Sequence, residues 1–168
     1  MRFYEYFISS LPFLSFLMPT PLSYEKFLEE SSRFIPEKEH KVLKSLSVSQ
    51  HYLEKKYRLF EDSLRNQLVL LRAQGLGKDA LKYLHTGIDD DAQLSLVASH
   101  AMRQLSILEA EIFLDKQRWE KLDELLQGHF FDLEFLIVYA HKLLILERWE
   151  KIRSADKQLL WDNLLSFN

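Results

Sequence analysis

Apolar residues recur at helical spacing through most of the chain. From about Ser49, six of them follow one another at steps of three or four positions, which places them on one face of a helix. They are Leu53, Tyr57, Phe60, Leu64, Leu68 and Leu71. We predict a helix over 49–74, ended by Gly75 and Gly77.

A longer pattern follows Asp89-Asp90-Asp91, which place negative charge where a helix N-terminus favours it. Ten positions alternate steps of four and three, and nine of the ten are apolar: Leu94, Ala98, Ala101, Leu105, Leu108, Ile112, Asp115, Trp119, Leu122 and Leu126. This is the spacing of a heptad seam, so we predict one long helix over 90–127 that packs against another helix. Asp115 interrupts the seam, and we expect it to be exposed or to form a salt bridge.

Shorter helices are predicted at both ends of the chain. Ser23 and Pro36 are typical helix starts. Residues 130–146 are apolar at 13 of 17 positions. The run is short for a bilayer and contains charged residues, so we expect a helix buried nearly all round rather than a membrane span. A last helix is expected at about Ala155–Leu165.

The predicted fold class is therefore all-α. We expect an elongated helical bundle with two long helices packed antiparallel plus several shorter helices. Residues 1–168 are expected to form a single helical domain. In it, 1–22 is an irregular docked segment, since it holds three of the four prolines, and 23–168 is the helical body.

The apolar opening, residues 3–23, resembles a signal peptide or anchor only superficially. Arg2 is its only basic neighbour, Glu5 lies within it and Pro12 interrupts it. We predict that it docks on the body of a soluble protein, with a membrane-surface anchor as the alternative. The expected docking residues are Phe3, Tyr6, Phe7, Leu11 and Leu14.

Composition and motifs argue against several classes of function. The net charge is -3, so the chain has no basic excess for a nucleic-acid partner. It has no cysteine, which excludes disulfides and thiolate metal sites. In QGLGKD (74–79), Arg72 and Asp79 stand where a phosphate loop needs glycine and Ser or Thr, so a helix C-cap is expected.

The sequence contains no established catalytic or metal-binding pattern. The six histidines form no close ligand pair on one helical face, and there is no nucleophile motif. We therefore expect no catalytic residue, no metal site and no cofactor, and we expect that the chain is not an enzyme. Trp119 and Trp149 lie in QRWEKL and ERWEKI, 30 residues apart. A repeat is one interpretation, and we favour buried packing anchors.

Several stretches resemble an uncharacterised bacterial family encoded in V-type ATPase operons. They are LDKQRWEKLDEL (114–125), HFFDLEFLIVYAHKLLILERW (129–149), and the opening with Tyr4, Tyr6, Leu11-Pro12, Leu14 and the Ser23–Phe27 helix. The resemblance implies a non-catalytic role like that of the C subunit of V-type ATP synthases, which is called d in eukaryotes. That C subunit couples the central rotor stalk to the membrane proteolipid ring.

The implied partners are the V-type ATPase central stalk subunits and the proteolipid ring. The chain would then be cytoplasmic and associated peripherally with the inner membrane through the complex, without a direct membrane span. Exposed aromatic residues favour interfaces, so Phe13, Phe16 and Phe130 are interface candidates, with core positions as the alternative. The alternative function is a stand-alone helical scaffold, or an assembly or regulatory protein, that binds a partner helix.

Overall fold

In the computed structural model, residues 4–85 and 92–165 are described, with side chains up to Asp156. Every regular element in these ranges is helical, which confirms the all-α prediction. The helices are α1 (Tyr4–Ser10), α2 (Tyr24–Ser31), α3 (Glu37–Lys44), α4 (Tyr52–Leu76), α5 (Ala92–Met102), α6 (Ile107–Leu125) and α7 (Leu133–Leu165), with 3-10 turns at Leu46–Val48 and Ala80–Lys82.

Several helix ends follow the sequence signals. The Ser23 hydroxyl accepts the Lys26 N–H at 3.2 Å and so caps α2. Gly77, at φ 62°, adopts the left-handed conformation that closes α4, so the QGLGKD stretch is a helix C-cap as predicted. The predicted cap at Asp89-Asp90-Asp91 lies outside the described residues.

The chain divides into two compact units. The terminal unit combines Met1–Leu46 with Leu126–Asn168, and the middle unit is Ser47–Leu125. The terminal unit is therefore built from both ends of the chain, whereas the middle unit is contiguous. The single domain over 1–168 stays a prediction.

In the middle unit, α5 and α6 both pack against α4. The apolar stripe of α4 supplies Leu64 and Leu68 to the core, where they meet Leu94, Ala98 and Leu114. Burial of these side chains supplies the main driving force for the packing. The stripe predicted on α4 is therefore the face that packs.

The continuous helix predicted over 90–127 is wrong. Helix α5 ends at Met102 and α6 begins at Ile107. The Ser106 hydroxyl accepts the Glu109 N–H at 3.1 Å, which satisfies a backbone donor at the new helix start. Seam residues are buried on both sides of the break, for example Ala101 before it and Asp115 after it. Within the break, the seam residue Leu105 is 96% exposed. The antiparallel packing of two long helices is not confirmed.

In the terminal unit, α7 is one helix of 33 residues, so the separate last helix predicted at about Ala155–Leu165 is wrong. No glycine or proline follows Gly128, so the sequence gives no signal that would end the helix earlier. Five successive residues, 136–140, are buried, which confirms all-round burial for this part of 130–146, but the helix begins only at Leu133, and Phe130 and Phe131 are exposed. Among the described residues, no helix is both long and apolar enough to cross a bilayer.

The opening segment is more regular than expected because residues 4–10 form α1. Phe7 is 1% exposed, and its ring centroid lies 5.3 Å from that of Phe34 and 6.0 Å from that of Phe27. The Phe27 ring in turn lies 5.4 Å from that of Tyr139 on α7. An aromatic cluster thus anchors α1 on α2 and connects α2 to α7.

The residues expected to dock the opening segment divide into two groups. Phe7 and Leu14 are buried as predicted. Tyr6 contributes less than predicted, since it is 66% exposed, although its ring centroid lies 5.5 Å from that of Phe34. Leu11 is half-buried, and Phe3 lies outside the described residues.

Candidate protein-binding surfaces

Residues 11–23 connect α1 to α2 in the terminal unit, and α7 holds them through polar contacts. We call this connection the clamped loop. The Tyr139 hydroxyl donates to the Pro12 carbonyl at 2.8 Å. Nη1 of Arg153 donates to the Leu17 carbonyl at 2.8 Å. Both side chains come from α7, so one rigid helix fixes two separate points of the loop.

Two glutamates of α7 hold the second half of the connection. Oε1 of Glu150 accepts the Thr20 N–H at 2.9 Å, and Oε1 of Glu147 accepts the N–H of Tyr24, the first residue of α2, at 2.6 Å. Hydrogen bonds to a charged acceptor are stronger than those between neutral groups. The helix that the sequence pattern predicted to be buried thus also organises a loop more than 120 positions away.

The loop backbone contains a left-handed residue that is not glycine. Leu17 has φ 62°, a conformation that side chains with a Cβ rarely adopt. The Arg153 guanidinium binds the carbonyl of this same residue. Burial first, then the nearby Glu30 charge, raises the pKa of Tyr139, which favours the protonated hydroxyl that donates to Pro12.

The clamped loop presents Phe13 to solvent. This side chain is 91% exposed, although the carbonyl before it is hydrogen-bonded to Tyr139 and the next side chain, Leu14, is buried. Phe16 is half-buried on the same loop. Phe130 is 69% exposed and lies on a different segment, the turn before α7. The structure therefore places two of the three predicted aromatic residues on the surface.

The two tryptophans lie inside. Trp119 on α6 is 8% exposed, and Trp149 on α7 is 3% exposed. They belong to different units, and each contributes to the buried side of its own helix. Neither is available as a surface contact in the described structure.

The break between α5 and α6 creates a second apolar surface, in the middle unit. An open groove of about 480 Å³ lies there, lined by residues of α4, α5 and α6 that include Leu68, Ala101 and Leu114. At its edge, Leu105 is 96% exposed and Ile107 is 85% exposed. The sequence patterns did not predict this surface, although Ser106 and Glu109 have the spacing of a capping box.

A partly buried ionic cluster connects α4 to α6 in the middle unit. The Arg118 guanidinium lies 2.8 Å from Oδ1 of Asp115 and 2.9 Å from Oε1 of Glu61. The Asp115 side chain is 1% exposed, so the predicted salt bridge is confirmed.

The pKa values follow from this arrangement. Burial alone lowers the pKa of Arg118, but the two carboxylates outweigh it and the net direction is upward. Burial first, then the Glu61 charge, raises the pKa of the neighbouring Tyr57. The cluster joins two helices, because Arg118 on α6 pairs both with Asp115 of its own helix and with Glu61 on α4.

Comparisons with protein-family models, curated proteins and solved structures find no match to this chain. The clamped loop with Phe13 and the groove beside Leu105 are the apolar surfaces of the described residues that a partner protein could contact.

Proposed function

We propose that this protein is a non-catalytic helical adaptor that binds a partner protein through Phe13 on the clamped loop. The observation that carries the proposal is the exposure of this ring, 91%, on a backbone held in place on either side. An exposed phenylalanine ring adds little burial energy to folding, since most of its apolar surface stays in water. Aromatic side chains are enriched among the residues that dominate binding energy at protein interfaces.

The four contacts from α7 support this role. Binding orders flexible loops at a cost in free energy, and a loop that is already fixed avoids most of that cost. Tyr139 and Arg153 hold the carbonyls on both sides of Phe13 before any partner arrives. The adaptor therefore presents a preorganised aromatic contact.

The partner we propose is the V-type ATPase, with its central stalk subunits and proteolipid ring. The resemblance to the family encoded in V-type ATPase operons motivates this assignment. In this role the chain is a coupling element like the C subunit of V-type ATP synthases, and it is cytoplasmic and peripheral to the inner membrane. The helical architecture of the described residues is compatible with such a role.

The test is affinity capture from detergent-solubilised membranes of the source organism, with the full chain as bait. We expect the parent protein to recover stalk or ring subunits. Phe13→Ser, alone and with Phe16→Ser, should lose them while the circular dichroism spectrum is unchanged. Tyr83→Ser is the matched control, since Tyr83 is an aromatic residue of the middle unit that is 54% exposed.

Two results would contradict the proposal. One is equal recovery of the ATPase subunits with the parent and with the Phe13→Ser variant. The other is a complete, tightly coupled ATPase complex purified without this chain. The second result removes the ATPase assignment, whereas the first removes the role of Phe13.

The alternative is a stand-alone scaffold or assembly protein that binds a partner helix, and the groove beside Leu105 and Ile107 favours it. Partner helices typically insert apolar residues into such grooves. Leu105→Ser with Ile107→Ser tests this role in the same capture experiment. Loss of a partner with this pair, but not with Phe13→Ser, would favour the scaffold.

A further inference from the structure

Three metal-ligating side chains meet at the turn before α7, in the terminal unit. His129, Asp132 and Glu134 each place one donor atom so that all three lie within 4.8 Å of one another. Nδ1 of His129 is 2.6 Å from Oδ2 of Asp132. All three residues are half-buried.

The backbone of this turn positions the first two donors. Gly128 has φ 85°, which allows a sharp reversal, and the His129 N–H donates to the Leu126 carbonyl at 3.0 Å. Oδ1 of Asp132 accepts the Phe135 N–H at 2.9 Å and caps α7. The cap therefore fixes the carboxylate so that its other oxygen, Oδ2, faces His129.

The charge of the site favours a cation. The N-terminus of α7 contributes roughly half a positive charge, which opposes a metal ion. The two carboxylates contribute two negative charges and outweigh it. One imidazole nitrogen with two carboxylate oxygens suits Zn²⁺ and neighbouring transition metals, whereas Mg²⁺ and Ca²⁺ prefer oxygen ligands alone.

We propose that His129, Asp132 and Glu134 form a binding site for a divalent transition-metal ion of the Zn²⁺ type. Nδ1 of His129 and one oxygen of each carboxylate are the three protein ligands, and the proton that Nδ1 shares with Asp132 is released to solvent when the ion binds. Three protein ligands leave one position of a tetrahedral ion for water or for a group from a partner. The sequence analysis predicted no metal site because it looked for pairs of histidines on one face of a helix. These three ligands instead lie in the turn before α7 and in its first residues.

The test uses the full chain without a histidine tag. Zn²⁺ binding is measured by isothermal titration calorimetry, and Co²⁺ is added as a spectroscopic probe of tetrahedral coordination. We expect one ion per chain, a higher melting temperature with Zn²⁺, and no competition from Mg²⁺ at equal concentration. His129→Ala and Glu134→Gln should each weaken binding by at least the roughly 10–100-fold that loss of an outer-sphere partner produces.

His85→Ala is the matched control. His85 forms a comparable pair with Asp62, at 2.9 Å, in the middle unit, and its loss should leave Zn²⁺ affinity unchanged. Glu134→Gln guards against a folding defect, because it preserves side-chain size on the helix. The proposal is overturned by absence of stoichiometric binding, by undiminished affinity in both ligand variants, or by equal weakening in His85→Ala.

Discussion

The Tyr139 hydroxyl on α7 donates a 2.8 Å hydrogen bond to the carbonyl of Pro12, the residue immediately before the exposed Phe13. Tyr139→Phe removes this donor and leaves the rest of the ring in place. We expect a loss of about 1 kcal/mol in the free energy of unfolding, measured by urea denaturation. The same variant should weaken partner capture, because the loop would lose the contact nearest to Phe13 and keep only the other three. Full stability together with full capture would contradict the clamp.

Neighbouring residues of α1 provide a matched pair. Phe7 is 1% exposed and Tyr6 is 66% exposed. Phe7→Ala should destabilise the protein by about 3–5 kcal/mol, since it opens a cavity in the aromatic cluster. Tyr6→Ala should lose less than about 1.5 kcal/mol, the worth of an aromatic contact such as that with Phe34. Equal effects in denaturant titrations would show that α1 is not docked through Phe7.

In the ionic cluster, removal of Arg118 should cost more stability than removal of Asp115. Arg118→Met leaves Asp115 buried without its cation, and we expect a loss of about 3–5 kcal/mol. Asp115→Leu leaves Arg118 paired with Glu61, so its effect should stay within about 1 kcal/mol in either direction. Both are measured by urea denaturation at neutral pH. A large loss in Asp115→Leu would reveal a further essential partner of this carboxylate.

Tyr57 should make the folded protein less stable as the pH rises above about 10. Its pKa is raised in the folded protein, while in the unfolded chain it titrates near the ordinary value of about 10. Above that pH, the unfolded state loses its proton and the folded state keeps it, so stability falls. The Tyr57 contribution to this loss should reach about 1.4 kcal/mol by pH 11. Comparison of the parent with Tyr57→Phe at pH 9 and pH 11 isolates it. If the parent and Tyr57→Phe lost the same stability between pH 9 and pH 11, the prediction would be wrong.

Ser106 starts α6 and so maintains the break in the predicted seam. Ser106→Ala should lower stability by about 0.5–2 kcal/mol, because the Glu109 N–H loses its acceptor. Ser106→Asp should retain most of the stability, since aspartate also caps helices. Thermal unfolding of both variants checks the expected order. An alanine variant as stable as the parent would mean that the cap is not what begins α6.

The sequence predicted a helix well where a single apolar stripe was followed by a clear helix-ending residue. In α4, the stripe from Leu53 to Leu71 and the closing Gly77 are both read directly from the sequence. The break at residues 103–106 was missed because the apolar steps continue in phase across it, so Leu105 looks like a core position. Ser106 followed by Glu109 was the contrary signal, and periodicity masked it.

The candidate surface was predictable only in part. Phe13 is an aromatic residue in an irregular stretch, which the sequence could single out. The contacts that hold its loop join residues 123–136 positions apart, and no local pattern encodes such pairs. Glu147 and Glu150 would pass for ordinary solvated residues of a helix until the fold brings the loop to them.

Because the terminal unit is assembled from both ends of the chain, the order of synthesis matters to it. The N-terminal 46 residues leave the ribosome before α7 exists, and the two glutamates that receive the loop follow more than 120 residues later. At 5–20 residues per second, that delay is roughly 6–25 s. During this interval Phe27, against which Phe7 packs, lacks its α7 neighbour Tyr139. The middle unit is contiguous, so its synthesis is finished before that of α7. Until then the nascent chain exposes aromatic side chains near its N-terminus, and chaperones can bind them.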